Sequence, residues 1–184
     1  QALMGMQRAQ GGPENPPVFL GSLAPNDYLA GAMGAMGAIM ALYARERGGS
    51  GQHVSTSLMN AGAMIGSMEF LKYRGKPDRR YADKGQNGLS ALHRLYETAA
   101  GWIYLAAENE QHWRGLCGAL DREDLVSDPR FASPNTRADN DAALAQELER
   151  TLGARGATEL LRVLEDENVP CALVVEEYQV GFFS

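Results

Sequence analysis

The sequence predicts an α/β chain built in two parts, and three observations carry that prediction. Up to Tyr73 the chain is dominated by Ala, Gly and Met at helical spacing. Beyond residue 90, short β-branched and aromatic runs alternate with amphipathic helical patterns. Between them lies a stretch of loop composition, 74–90, which ends in Gly85-Gln86-Asn87-Gly88 and marks a domain boundary.

Taken in order, residues Gly11 to Pro25 are rich in Gly and Pro and predict an irregular connection. Pro25-Asn26-Asp27 predicts a helix start, with Asn26 or Asp27 as cap. The helix runs to about Arg47, where Arg45 and Arg47 suit a helix C-terminus and Gly48-Gly49 stop it. Gly31, Gly34 and Gly37 recur at spacing three inside it. An interior glycine costs roughly 1 kcal/mol relative to Ala, so this face is expected to lie against another backbone. Met33, Met36 and Met40 form a neighbouring stripe suited to a core. His53 to Leu58 predicts a short strand, and Asn60 to Tyr73 a second helix.

In the second part, Leu95–Thr98 and Trp102–Ala106 predict two strands around a turn at Ala100-Gly101. A helix follows through Trp113, Leu116 and Leu120, then a turn at Asp128-Pro129-Arg130-Phe131. Asp139–Leu152 and Thr158–Glu167 predict amphipathic helices, and Ala172–Val175 a last strand after Pro170.

Composition removes several function classes. The 184 residues, 45% of them hydrophobic, suffice for one medium domain or two small ones. A net charge of −6, from 17 basic and 23 acidic residues, lacks the basic excess of a nucleic-acid binder. The basic cluster Lys72 to Arg80 sits in a Gly/Pro loop and reads as solvated. No apolar run reaches the roughly 18 residues of a membrane span. Cys117 and Cys171 are far apart, which fits a reducing cytoplasm and no disulfide framework. His53, His93 and His112 form no metal-binding spacing. The opening at Gln1 and the ending Gly181-Phe182-Phe183-Ser184 predict a piece of a longer protein.

Most apparent motifs have plain readings. Gly48-Gly49-Ser50-Gly51 follows a helix, whereas a phosphate-cradling loop follows a strand and opens a helix. Glu165-Asp166-Glu167 reads as a solvated helix end. Asp27 is different. A carboxylate at a helix N-terminus gains about 0.3–1 kcal/mol from the dipole and stays ionised, as a nucleophilic carboxylate must. Taken alone, an Asp before a helix is usually only a cap.

The run from Asp27 to Leu58 resembles the signature of family III CoA transferases. The matching pieces are Asp27, Gly31, Ala41-Leu42, Arg45, Gly49, Gly51-Gln52 and Ser57-Leu58. Gln1-Ala2-Leu3-Met4-Gly5, the stretch from Leu95 to Leu120, Asp128–Phe131, Arg137 with Asn140, and Val169–Val174 are similar to further family segments in the same order. Ala100 departs from the pattern, which usually has Asp before that Gly; the change is expected to affect a turn.

The resemblance implies a partial family III fold. Residues 1–73 would be part of the large Rossmann-like domain with a catalytic Asp, and 74–90 a linker with the glycine-containing loop. Residues 91–175 would be a small α+β domain, and 176–184 the start of a return linker. It implies CoA transfer from an acyl-CoA to a carboxylic acid, with Asp27 as nucleophile and the CoA thioester as substrate, and no permanently bound cofactor or metal. Gly85, Gln86, Asn87 and Gly88 match the position of a glycine-rich loop that closes over the aspartate. Glu110 matches an acidic position in the small domain, or is a solvated residue opening a helix. The expected assembly is an interlocked homodimer. Two alternatives share the signature: an alpha-methylacyl-CoA racemase, in which Asp27 would be a base, and a non-catalytic copy kept for dimerisation or CoA binding.

Overall fold

The computed structural model of the chain describes residue 3, residues 5–19 and residues 24–175. The expected segment Gln1 to Gly5 therefore falls largely outside the described residues, and the return linker 176–184 falls wholly outside them. The chain divides into two compact units, Gln1–Tyr81 and Ala82–Ser184.

The first unit holds helices α1 (Met6–Gly11), α2 (Pro25–Glu46), α3 (Leu58–Ile65) and α4 (Ser67–Phe70). Pro25 takes the first helical position of α2, where its fixed φ is suited and its missing N–H is not needed. That moves the start upstream of the expected cap. Neither Asn26 nor Asp27 caps the helix, and Asp27 lies third within its first turn. At the far end Arg47 N–H bonds to the carbonyls of Tyr43 and Ala44, and Gly48 follows at φ +91°.

Two expectations are corrected here. Residues 53–57 form no strand, because a strand needs a paired neighbour and none lies beside them among the described residues. They run extended along α2 instead. A Cβ on Gly37 would come within 2.6 Å of Val54 Cγ1, and one on Gly34 within 3.8 Å of Thr56 Cγ2, while Gly31 faces no atom within 4 Å. Within this chain, Gly34 and Gly37 thus admit side chains of the following segment. The expected second helix is broken at Gly66 and ends at Phe70. Ser57 caps α3 by accepting the Asn60 N–H at 3.1 Å.

The second unit is a four-stranded antiparallel sheet in the order β1 (Gly88–Ser90), β2 (His93–Glu97), β3 (Trp102–Ala106), β4 (Cys171–Leu173). The turn at Ala100-Gly101 appears as expected. Thr98 closes it, donating from both N–H and Oγ1 to the Gly101 carbonyl, with Gly101 at φ +83°. In register, Arg94 pairs with Leu105 and Tyr96 with Ile103, all on the buried face. The helices of this unit are α5 (Glu110–Ala119), α6 (Glu123–Ser127), α7 (Pro134–Asp139), α8 (Asp141–Leu152) and α9 (Ala157–Asp166). Asn109 caps α5, and a Ser133–Thr136 capping box starts α7. The helix expected from Asp139 divides at Asn140, whose side chain bonds back to the Thr136 carbonyl at 2.9 Å.

Trp113, Leu116, Leu144, Leu148, Leu160 and Leu164 pack with Tyr96, Ile103 and Leu105 into one core. Cys117 lies within it, and burial pushes its thiol up to about 12. Tyr96 also loses acidity by burial while its hydroxyl donates to the Ala91 carbonyl at 2.6 Å.

Leu160→Ala should lower the stability of the second unit by about 2–5 kcal/mol. Urea titration followed by fluorescence of Trp102 and Trp113 would read this, and an unmoved midpoint would contradict the packing described. Iodoacetamide at pH 8 should leave Cys117 unmodified until denaturant is added, as mass spectrometry would detect.

Candidate active site

The start of α2 is fixed from below. Asn26 is buried at 6% exposure and its Nδ2 donates to the Leu58 carbonyl at 3.3 Å, tying the first turn of α2 to the first residue of α3. Asn26 Oδ1 is buried with no partner among the described residues. The next residue, Asp27, is exposed. Among the described residues its carboxylate enters no hydrogen bond or ion pair. An ionised carboxylate in the first turn is favoured by the helix dipole, and without a competing cation its oxygens keep their lone pairs. The arrangement suits a group that must attack or accept.

Gly85–Gly88 forms a tight loop in the second unit. Asp83 N–H donates to the Gly88 carbonyl at 2.9 Å, and Gln86 N–H to the Asp83 carbonyl at 2.9 Å. Asp83 Oδ1 accepts the Asn87 N–H at 2.7 Å. Gln86 sits at φ +61°, a left-handed conformation that side chains seldom take. Asn87 returns to the sheet, its carbonyl accepting the Leu95 N–H at 2.8 Å. Next to the loop is a cavity of about 450 Å³ lined by Asn87, Arg94, Tyr96, Trp102 and Glu149 among others.

Glu110 opens α5 and is held by Arg137. Arg137 is 6% exposed, donates to the Phe131 carbonyl at 2.9 Å and lies 5.0 Å over the Trp113 ring. The Glu110 carboxylate therefore serves as counter-ion to a buried guanidinium. Its network shares no residue with that of the loop. Asp27 belongs to the first unit, and the loop and Glu110 to the second.

A second cavity, about 390 Å³, lies between α2 and the extended segment and is lined by Ala38, Ala41, Leu42, Arg45, Gln52 and Val54 among others. Asp27 lines neither cavity. Among the described residues no three His, Cys, Asp or Glu side chains stand together as a metal site, and no helix is long and apolar enough to cross a membrane.

Sequence reasoning named Asn26 only as a candidate cap and did not single out Asp83, Arg94 or Glu149. Arg94 had a readable signal. It shares the parity of Tyr96 in a half-buried strand, a place where an apolar residue is the rule. Asp83 and Glu149 carry no such mark, since their roles depend on segments that meet only in the fold.

A family model described as CoA-transferase family III matches residues 1–180. The acetyl-CoA:oxalate CoA-transferase of Acetobacter aceti is 28% identical over 177 residues, covering 92% of this chain and 44% of that protein. The succinyl-CoA:mesaconate CoA-transferase of Haloarcula hispanica is 30% identical over 176 residues, covering 95% and 43%. A probable fatty acyl-CoA transferase of Mycobacterium tuberculosis is 28% identical over 179 residues. A crystal structure of that protein superposes with a TM-score of 0.77 at 27% identity, covering 97% of this chain and 46% of that one. The chain thus spans less than half the length of the relatives it matches.

Proposed function

Because the chain belongs to CoA-transferase family III, we propose that it carries the nucleophile of an enzyme moving coenzyme A from an acyl-CoA thioester to a carboxylic acid. The observation that carries this reading is the exposed Asp27 carboxylate, unengaged among the described residues, in the first turn of a 22-residue helix. The likeness to relatives named for oxalate and mesaconate supports a carboxylate acceptor.

The Asp27 carboxylate attacks the thioester carbonyl. The C–S bond breaks, CoA leaves as thiolate, and a mixed anhydride joins the acyl group to Asp27. The thiolate then attacks the Asp27 carbonyl, releasing the first carboxylic acid as its anion and leaving an aspartyl-CoA thioester. The incoming carboxylate repeats the sequence in reverse, and Asp27 is regenerated. Bonds of similar energy are exchanged, so the protein's contribution is orientation and stabilisation of each oxyanion. The Gly85–Gly88 loop is the proposed contact for the acyl-CoA, and Glu110 is the proposed acidic residue of the small domain, paired with Arg137.

The first unit also supports a site completed by further protein. Of its described apolar side chains only Ala61 is buried, while Tyr28, Met36, Ile39, Met40 and Tyr43 along α2 are each more than half exposed. An apolar stripe of that extent is covered in a stable protein. We assign the cover to the remainder of the fold and to a second copy of the chain.

Asp27→Ala in the full-length protein should reduce turnover by at least about a thousandfold. Hydroxylamine added with acyl-CoA should leave a hydroxamate on the peptide containing Asp27, detected by mass. Solvent deuterium entering at the α-carbon, with no adduct, would instead favour the racemase reading. The 184 residues alone should associate in sedimentation runs and show no transfer.

A further inference from the structure

Arg94 occupies a position that the sheet reserves for apolar side chains. It faces the core beside Tyr96 and opposite Leu105, and is 9% exposed. A buried guanidinium is costly unless partners surround it. Here they come from three places. Nη2 lies 3.3 Å from Asp83 Oδ2, in the segment entering the loop, and 3.1 Å from Glu149 Oε1, on α8. The Tyr96 ring lies 5.1 Å from the guanidinium carbon. Nε is buried and has no hydrogen-bond partner.

The other oxygen of Asp83 accepts the Asn87 N–H. One carboxylate therefore joins the loop's own closure to the fixed guanidinium. Gly88 completes the seat, because a Cβ there would collide with the backbone of His93 and Arg94. An apolar residue at this register would satisfy the core without leaving a buried donor unpaired. The charge is explained if its work is to hold the loop.

We infer that Arg94 is a positioning residue: by drawing Asp83 against Glu149 it fixes the 85–88 loop in the conformation that meets the CoA thioester. This rests on the reading of that loop as part of the acyl-CoA site. Arg94 touches no substrate in this scheme and acts only through Asp83.

The test compares Arg94→Met and Glu149→Gln with the parent, using the full-length protein, acetyl-CoA and oxalate or whichever acyl-CoA pair it turns over. Amide hydrogen exchange at Asn87 and Leu95 should accelerate roughly tenfold in Arg94→Met and less in Glu149→Gln, with Ile103 and Leu105 unchanged. KM for the acyl-CoA should rise on the order of tenfold with a smaller loss in kcat. Arg94→Lys should recover part of both, since it keeps the charge without the planar fork. If Arg94→Met also exposes Ile103 and Leu105, the unit has opened and Glu149→Gln decides. Unchanged exchange at Asn87 would overturn the role of Arg94. Faster exchange with an unchanged KM would instead overturn the loop's place in the acyl-CoA site.

Discussion

A four-stranded sheet covered by helices must present one set of alternating side chains to its core, and the second unit depends on that constraint. Tyr96, Ile103 and Leu105 obey it, with Trp113, Leu148 and Leu160 packed above them. Arg94 breaks it. Its burial then calls for carboxylates, and the two that answer join the loop before β1 to α8 across the sheet. An exception to the packing rule thereby becomes a point of attachment between segments distant in sequence.

The first unit follows the opposite economy of burial. Its helix α2 carries apolar residues around much of its surface and buries none of them among the described residues. Gly34 and Gly37 create a shallow trough, filled by Thr56 and Val54 of the segment that turns back along the helix. The remaining stripe is open. A long helix with such a face is stable when packed, because tertiary contact, not propensity, supplies most helical stability. Asp27 stands at the head of this helix, with Asn26 anchoring the turn beneath it to Leu58. A tied first turn and an exposed carboxylate are the two features on which the proposed role of Asp27 rests.

Buried arginines recur as structural devices in this chain. Arg137 holds Glu110, the Phe131 carbonyl and the Trp113 face, and Arg94 holds Asp83, Glu149 and the Tyr96 face. In each case a planar cation lies over an aromatic ring while its edges meet acceptors, a geometry lysine does not reproduce. Both sit at the periphery of the core, where a loop or helix start must be tied down.

Much was legible in the residues themselves. The α2 helix, the hairpin at Ala100-Gly101, and the helices through Trp113 and Leu160 were readable because apolar period and turn chemistry are local properties. The signature from Asp27 to Leu58 carried the family in the same way. The division at Gly66 and the unpaired course of residues 53–57 were not, since each is decided by which neighbour is present to pair or pack. The partners of Glu110 and Arg94 lie 27 and 55 residues away at the distances that matter here, in Arg137 and Glu149. Sequence determines which charges a chain owns, but their pairing follows from chain segments brought together over long separations, and only the tertiary structure decides that.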